Sequence, residues 1–205
     1  ADTRERMNNK QLTDEVLTFF LAGHETTAVS AFWTIWLLLE NPAKKIKLEE
    51  EISHLTTKDL QLSDLEDLPY LEAVIKEAMR LMSPVWVLGR EAIADDKMAG
   101  FDIRRGDSII FSPYMIHRHV DYWEEPDLYS PERFLDGEDI PKNAYFPFGT
   151  GPRLCIGNNF AMLELKVIIF AVFSTLNLHL EDDSFPGFDC SLTLRPAQDR
   201  IVSSK

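Results

Sequence analysis

The most informative stretch of the chain is a glycine-rich segment around one of its two cysteines. It reads Phe148-Gly149-Thr150-Gly151-Pro152-Arg153-Leu154-Cys155-Ile156-Gly157. A helix is predicted over residues 157–176, which places Cys155 directly before a helix N-terminus. The free N–H groups and the positive dipole end of a helix favour an ionised thiolate there. The glycines allow the backbone to approach a bound group closely. The residues alone leave two interpretations open, a reactive thiolate or a buried structural cysteine in a turn.

This segment resembles the haem-binding signature of the cytochrome P-450 family. The signature is Phe, two residues, Gly, one residue, Arg, one residue, Cys, one residue, Gly, and it is matched at Phe148, Gly151, Arg153, Cys155 and Gly157. The resemblance implies that the thiolate of Cys155 is the axial ligand of haem iron. It also implies a charge-assisted pair between Arg153 and a haem propionate. Cys190, between Asp189 and Ser191, is expected to be an ordinary free thiol.

Composition narrows the class of protein. The chain has 205 residues, of which 45% are hydrophobic and 27% charged, which is enough apolar material for one sizeable core. Disordered, coiled-coil and collagen-like chains are excluded. The net charge of −13 argues against a nucleic-acid partner. Two cysteines in unlike contexts favour a reducing compartment. We expect no membrane span and no signal peptide in this segment.

A long helix predicted over residues 12–39, with Thr13 or Asp14 as its N-cap, contains an unusual hexapeptide. Ala22-Gly23-His24-Glu25-Thr26-Thr27 is a poor composition for a helix centre, because glycine costs about 1 kcal/mol there. A threonine hydroxyl bonded back to the preceding turn can open space beside the helix. The hexapeptide is similar to the oxygen-binding motif of the family, which implies that Glu25 and Thr26 relay protons. The alternative is a glycine for close helix packing beside a surface glutamate.

Three charged residues are expected to form a structural network. Glu77 and Arg80 lie on one face of a helix predicted over residues 69–82. The pair resembles the Glu-x-x-Arg signature of the family, and Pro131-Glu132-Arg133-Phe134 resembles a later arginine element. The resemblance therefore implies a buried network of Glu77, Arg80 and Arg133. Arg90 is similar in position to a family arginine that binds a haem propionate. The alternative is that Arg90 is an ordinary surface residue.

Outside these motifs the pattern indicates short strands and one irregular segment. Strand-like pieces are predicted at residues 85–88, at Ile103, and at residues 108–111, 192–194 and 201–202. Residues 113–145 are predicted to be ordered but irregular, with a structural role for His117 and Arg118. The helix over residues 157–176 is expected to bury Phe160, Leu163, Val167, Phe170 and Ala171. The predicted fold class is mainly α with small β elements.

The resemblance spans residues 12–205 and implies the C-terminal portion of the P-450 fold, with residues 1–205 as a single partial domain. Family members are about twice this length, so we expect the segment alone to be inactive and to expose apolar faces. The implied cofactor is haem b, with NAD(P)H acting indirectly through a ferredoxin or a flavoprotein reductase. A cytoplasmic location is expected. The possibility of an N-terminal membrane anchor in the preceding half is left open.

The implied activity is a haem-thiolate monooxygenase acting with O2 on a hydrophobic substrate. Alternatives are a haem-thiolate isomerase, a peroxide-using enzyme, or a non-enzymatic acidic helical interaction module. The residues within these motifs most resemble those of the bacterial fatty-acid-hydroxylase-like and carotenoid-hydroxylase-like branches of the family. Mostly apolar positions resemble substrate contacts of the family. They are Phe19, Phe20, Ala22, Val85, Trp86, Val87, Leu88, Leu192 and Thr193.

Overall fold

Helices form the frame of the chain. The structure is a computed structural model. It describes residues 6–58, 60–135, 140–141, 143–180, 182, 184–198 and 202–204. The helices in the described residues are α1 (Asn9–Glu40), α2 (Pro42–Ile52), α3 (Leu62–Glu66), α4 (Pro69–Leu81), α5 (Pro113–Ile116) and α6 (Asn158–Thr175). Two short 3-10 helices cover Pro131–Phe134 and Gly151–Arg153.

The strands within the described part of the chain pair into four small antiparallel sheets. Strand β1 (Leu88–Glu91) pairs with β4 (Ser108–Phe111), and β2 (Asp96–Met98) pairs with β3 (Phe101–Ile103). Strand β5 (Leu178–Leu180) pairs with β8 (Val202–Ser204), and β6 (Phe188–Cys190) pairs with β7 (Leu194–Pro196). Together with the helices, these sheets confirm the predicted mainly α class with small β elements.

The core lies where the C-terminal half of α1 packs against α4 and α6. Its largest fully buried apolar side chains include Trp33, Leu71, Ile75, Ile169 and Phe170. Burying a side chain of this size contributes about 1.5 to 3 kcal/mol. Pro69 occupies the first turn of α4, where its missing N–H costs nothing, and the helix ends before Pro84. The core thus fixes α4, which carries the charged network described below.

One sequence prediction about the helices is wrong, and another is only partly right. Helix α1 begins at Asn9 and not near Thr13 or Asp14, because Asn8 caps it and forms a capping box with Gln11. On α6, Phe170 is buried as predicted, Leu163 and Ala171 are half-buried, and Phe160 and Val167 are exposed. The other buried apolar side chains of the helix are Leu165, Ile169 and Phe173. The sequence of α6 is apolar on several faces, so its periodicity does not distinguish the buried face.

The strand predictions are partly right. Residues 103 and 108–111 lie in strands, but residues 85–87 precede β1 and residues 192–193 precede β7. The predicted strand at 201–202 is observed at Val202, while Ile201 lies outside the described residues. Residues 113–135, 140–141 and 143–145 contain only short helical turns, which agrees with the irregular segment predicted there.

Several apolar faces are exposed. The N-terminal half of α1 exposes Leu12, Val16, Leu17, Phe19, Phe20 and Leu21. Helix α6, with 18 residues, is the one described helix long and apolar enough to cross a membrane by length and composition. This is weak support for a span, because core helices of soluble proteins pass the same test.

Candidate functional site

The cysteine loop, residues 148–157, presents the thiol of Cys155 to solvent just before α6. The loop turns back on itself, because the N–H of Cys155 donates to the carbonyl oxygen of Phe148 at 3.0 Å. Gly149 and Gly151 have φ values of 75° and 69°, a left-handed conformation that glycine adopts without strain. A Cβ atom at Gly157 would lie 3.8 Å from the sulfur. The loop therefore leaves the sulfur accessible, with Gly157 beside it.

Exposed side chains on the cysteine loop, on α6 and on β1 suit an apolar, anionic cofactor. Ile156, on the cysteine loop, is 87% exposed, and Phe160, in the first turn of α6, is 71% exposed. Arg153 and Arg90 are exposed, and neither pairs with a carboxylate among the described residues. A thiolate ligand, an apolar surface and free guanidinium groups match the iron, macrocycle and propionates of haem. The residues present therefore fit haem.

Strand β1 joins the cysteine loop to this surface. A Cβ at Gly149 would lie 4.0 Å from Cδ1 of Leu88, so strand and loop are in contact. Leu88 lies opposite Phe111 in the β1–β4 register, and the guanidinium carbon of Arg90 is 5.7 Å from the Phe111 ring centroid. The structure therefore brings the strand of Arg90 and the loop of Cys155 together. Arg90 itself donates to the neighbouring carbonyl of Gly89, at 2.8 Å.

Glu77, Arg80 and Arg133 also come together, in the interior behind the loop. Glu77 and Arg80 are fully buried, and Arg80 holds both carboxylate oxygens, at 2.7 and 2.9 Å. The remaining Arg80 donors bond the carbonyl oxygens of His117, Pro126 and Leu128. Arg133 Nε lies 3.4 Å from Glu77 Oε1, but the geometry makes an ion pair and not a hydrogen bond. The network thus ties α4 to the irregular segment.

His117 links this network to the cysteine loop. Its ring is buried, and Nε2 accepts the N–H of Phe146 at 2.9 Å. Nδ1 lies 3.2 Å from Oγ of Ser83, whose hydroxyl donates to the carbonyl of Met79. Because a backbone N–H can only donate, the ring proton belongs on Nδ1. Burial lowers the pKa of His117 to about 3, so the ring is neutral. The charges of Arg80 and Arg118 add to this lowering, and the hydrogen bond with Arg80 opposes it.

The hexapeptide lies within α1 without breaking the helix. The hydroxyl of Thr26 donates to the carbonyl oxygen of Ala22 at 2.7 Å, the predicted bond to the preceding turn. The carboxylate of Glu25 accepts a 2.6 Å hydrogen bond from the hydroxyl of Thr193. Glu25 and Thr193 are 168 residues apart in sequence, so no local sequence pattern predicts this contact.

The predicted substrate contacts fall into three groups. Phe19, Phe20, Ala22 and Leu192 are exposed, Val85, Trp86, Val87 and Leu88 are half-buried, and Thr193 is buried. The ring nitrogen of Trp86 lies 3.4 Å from the carbonyl oxygen of Ser191, which brings the segment before β1 against the β6–β7 turn. Thr193 differs from the others because its hydroxyl is already bonded to Glu25.

Comparisons with known proteins identify the class that this fold and site define. The family model for cytochrome P450 matches residues 1–202. The chain belongs to the cytochrome P450 family.

Relatives occur in bacteria, animals and plants. Cytochrome P450 132 of Mycobacterium tuberculosis is 38% identical over 193 residues, which cover 91% of this chain and 41% of that protein. Human cytochrome P450 4V2 is 35% identical over 202 residues, 96% of this chain and 38% of that protein. Protein LUTEIN DEFICIENT 5, chloroplastic, of Arabidopsis thaliana is 35% identical over 186 residues, which cover 88% of this chain and 31% of that protein. The chain therefore spans 31% to 41% of the length of these curated relatives.

Proposed function

We propose that the protein to which this chain belongs is a haem-thiolate monooxygenase. It inserts one oxygen atom of O2 into a hydrophobic organic substrate and takes its electrons from a separate ferredoxin or flavoprotein reductase. The observation that carries the proposal is the accessible thiol of Cys155, held among glycines before α6. Membership of the cytochrome P450 family supports it.

Cys155, Arg153 and Arg90 would hold the cofactor. When bound, haem b supplies the reductive activation of dioxygen. Cys155 lies just before α6, and its thiolate would ligate the iron. Arg153 and Arg90 would each neutralise a propionate through a charge-assisted hydrogen bond. Phe148, partly buried against the core, anchors the loop so that the sulfur is held in place.

Thr26 and Glu25 would deliver protons. The Thr26 hydroxyl is a donor and an acceptor, so it can pass a proton on while it receives another. Its present bond to Ala22 stays within the helix and can be exchanged for one to a ligand. Glu25, the residue before Thr26, supplies a carboxylate that would take up protons from solvent. The pair distinguishes the proposed activity from isomerase or peroxide-using chemistry, which does not require such a relay.

The proposal is tested with heavy-isotope oxygen gas. Full-length protein is supplied with NAD(P)H, a compatible reductase and a panel of hydrophobic substrates. We expect product that carries one heavy oxygen atom from the gas. Product formed only with added peroxide, or an isomerised product without new oxygen, would replace the proposal with one of the alternative haem enzymes.

Replacing Thr26 by alanine is expected to separate electron consumption from product formation. Because the hydroxyl that directs protons is lost, product per NAD(P)H falls about tenfold or more and hydrogen peroxide rises. Haem content stays normal. Thr18→Ala is the matched control, since the exposed Thr18 hydroxyl makes the same kind of bond to the preceding turn of α1. Unchanged product yield in Thr26→Ala, with a normal thiolate spectrum, would refute the relay.

A further inference from the structure

The Glu25 carboxylate is held by a residue from the far end of the chain. The Thr193 hydroxyl donates to Glu25 Oε1 at 2.6 Å, and Thr193 is only 2% exposed. This length is typical of a charge-assisted hydrogen bond from a hydroxyl to a carboxylate. Such bonds are about twice as strong as those between neutral groups. Glu25 is partly buried, so the bond is shielded from competing water.

The segment that carries Thr193 is fixed by two hydrogen bonds of the next residue, Leu194. The carbonyl oxygen of Leu194 accepts the indole N–H of Trp33 at 2.7 Å, and the N–H of Leu194 donates to Pro84 at 2.9 Å. Trp33 is fully buried in the same helix as Glu25. The Thr193 backbone therefore cannot move far from α1, and its hydroxyl is held in reach of the carboxylate.

We infer that Thr193 is a positioning residue for Glu25. Its hydroxyl selects one orientation of the carboxylate beside Thr26, so that protons are delivered from a fixed point. The adjacent Leu192, in the β6–β7 turn, is 81% exposed. A molecule that binds to Leu192 would therefore lie one residue from the Thr193–Glu25 hydrogen bond. The inference deepens the proposed function, on which it rests, by adding a group from outside α1 to the proton relay.

The test compares two substitutions in the full-length haem-loaded protein. Thr193→Val keeps the shape of the side chain and removes the hydroxyl, whereas Thr193→Ser keeps the hydroxyl. We expect product per NAD(P)H to fall about three- to tenfold in Thr193→Val, with haem content unchanged, and to be restored in Thr193→Ser. Thr175→Val is the matched control, because the exposed Thr175 hydroxyl donates to the carbonyl oxygen of Ala171 within α6. Equal yields in Thr193→Val and the wild type would overturn the inference.

A second readout does not depend on turnover. The infrared carboxylate band of Glu25 is assigned by its absence in Glu25→Gln. We expect this band to shift in Thr193→Val and to keep its position in Thr193→Ser and Thr175→Val. A band that stays in place in Thr193→Val overturns the inference even if the proposed oxygenation holds. A wild type without monooxygenase activity refutes the proposed function, and the band then still decides whether Thr193 orients Glu25.

Discussion

Replacing Arg80 by alanine is expected to yield full-length protein that retains little haem, with a free energy of unfolding lowered by about 3 to 5 kcal/mol. The loss is large because Glu77 stays fully buried without its bidentate partner. Three backbone carbonyl oxygens of the irregular segment lose their donor as well. Haem per polypeptide and urea unfolding measure the two effects, and Glu77→Ala is expected to behave in the same way.

Arg195→Ala is the matched control for Arg80→Ala. Arg195 also pairs with a carboxylate, that of Asp189 at 2.6 Å, but both side chains are exposed by 40% or more. An exposed pair contributes about 0 to 1 kcal/mol, so haem content and stability should stay near those of the wild type. Full haem occupancy with slower turnover in Arg80→Ala would show that the network acts on the reaction and not on the fold.

Replacing His117 by alanine is expected to loosen the cysteine loop. The buried N–H of Phe146 loses its acceptor, which costs about 1 to 3 kcal/mol, and a cavity is left beside it. Because the N–H of Gly149 donates to the carbonyl of Phe146, the disturbance reaches the loop directly. We expect faster haem loss and a lower urea midpoint.

The pH dependence of stability separates His117 from its control. Burial lowers the pKa of His117 to about 3 from 6.5, so the unfolded chain takes up a proton that the folded protein does not. The stability contributed by the neutral ring is therefore present above pH 6.5 and is lost as the pH falls towards 3. His117→Ala removes this slope, and the exposed His119→Ala keeps it. A wild-type slope in His117→Ala would contradict the assignment.

The sequence predicts contacts well where they are local or carried by a motif. Glu77 and Arg80 are three residues apart on one helix face, so their pairing follows from helix geometry. The capping box of Asn8 and Gln11 is also a visible signal, and the prediction missed it in favour of later polar residues. The glycines of the cysteine loop and the back-bonded Thr26 likewise follow from local chemistry.

Contacts between residues far apart in the chain could not be predicted from the sequence. Nothing near Thr193 indicates Glu25, and nothing near His117 indicates the N–H of Phe146, because each contact depends on how separate segments pack. The buried face of α6 was only partly predicted for a related reason. When apolar side chains surround a helix, only the position of α1 and α4 decides which of them are covered.

The most direct test of the account is the carbon monoxide difference spectrum of the reduced full-length protein. If the Cys155 thiolate ligates haem iron, the wild type and Cys190→Ala give the red-shifted Soret band of a thiolate-ligated complex, and Cys155→Ala loses it. Both cysteines are exposed in the described chain, so accessibility alone does not favour either one. Loss of the band in Cys190→Ala with its retention in Cys155→Ala, or a wild type without the band, would contradict the account.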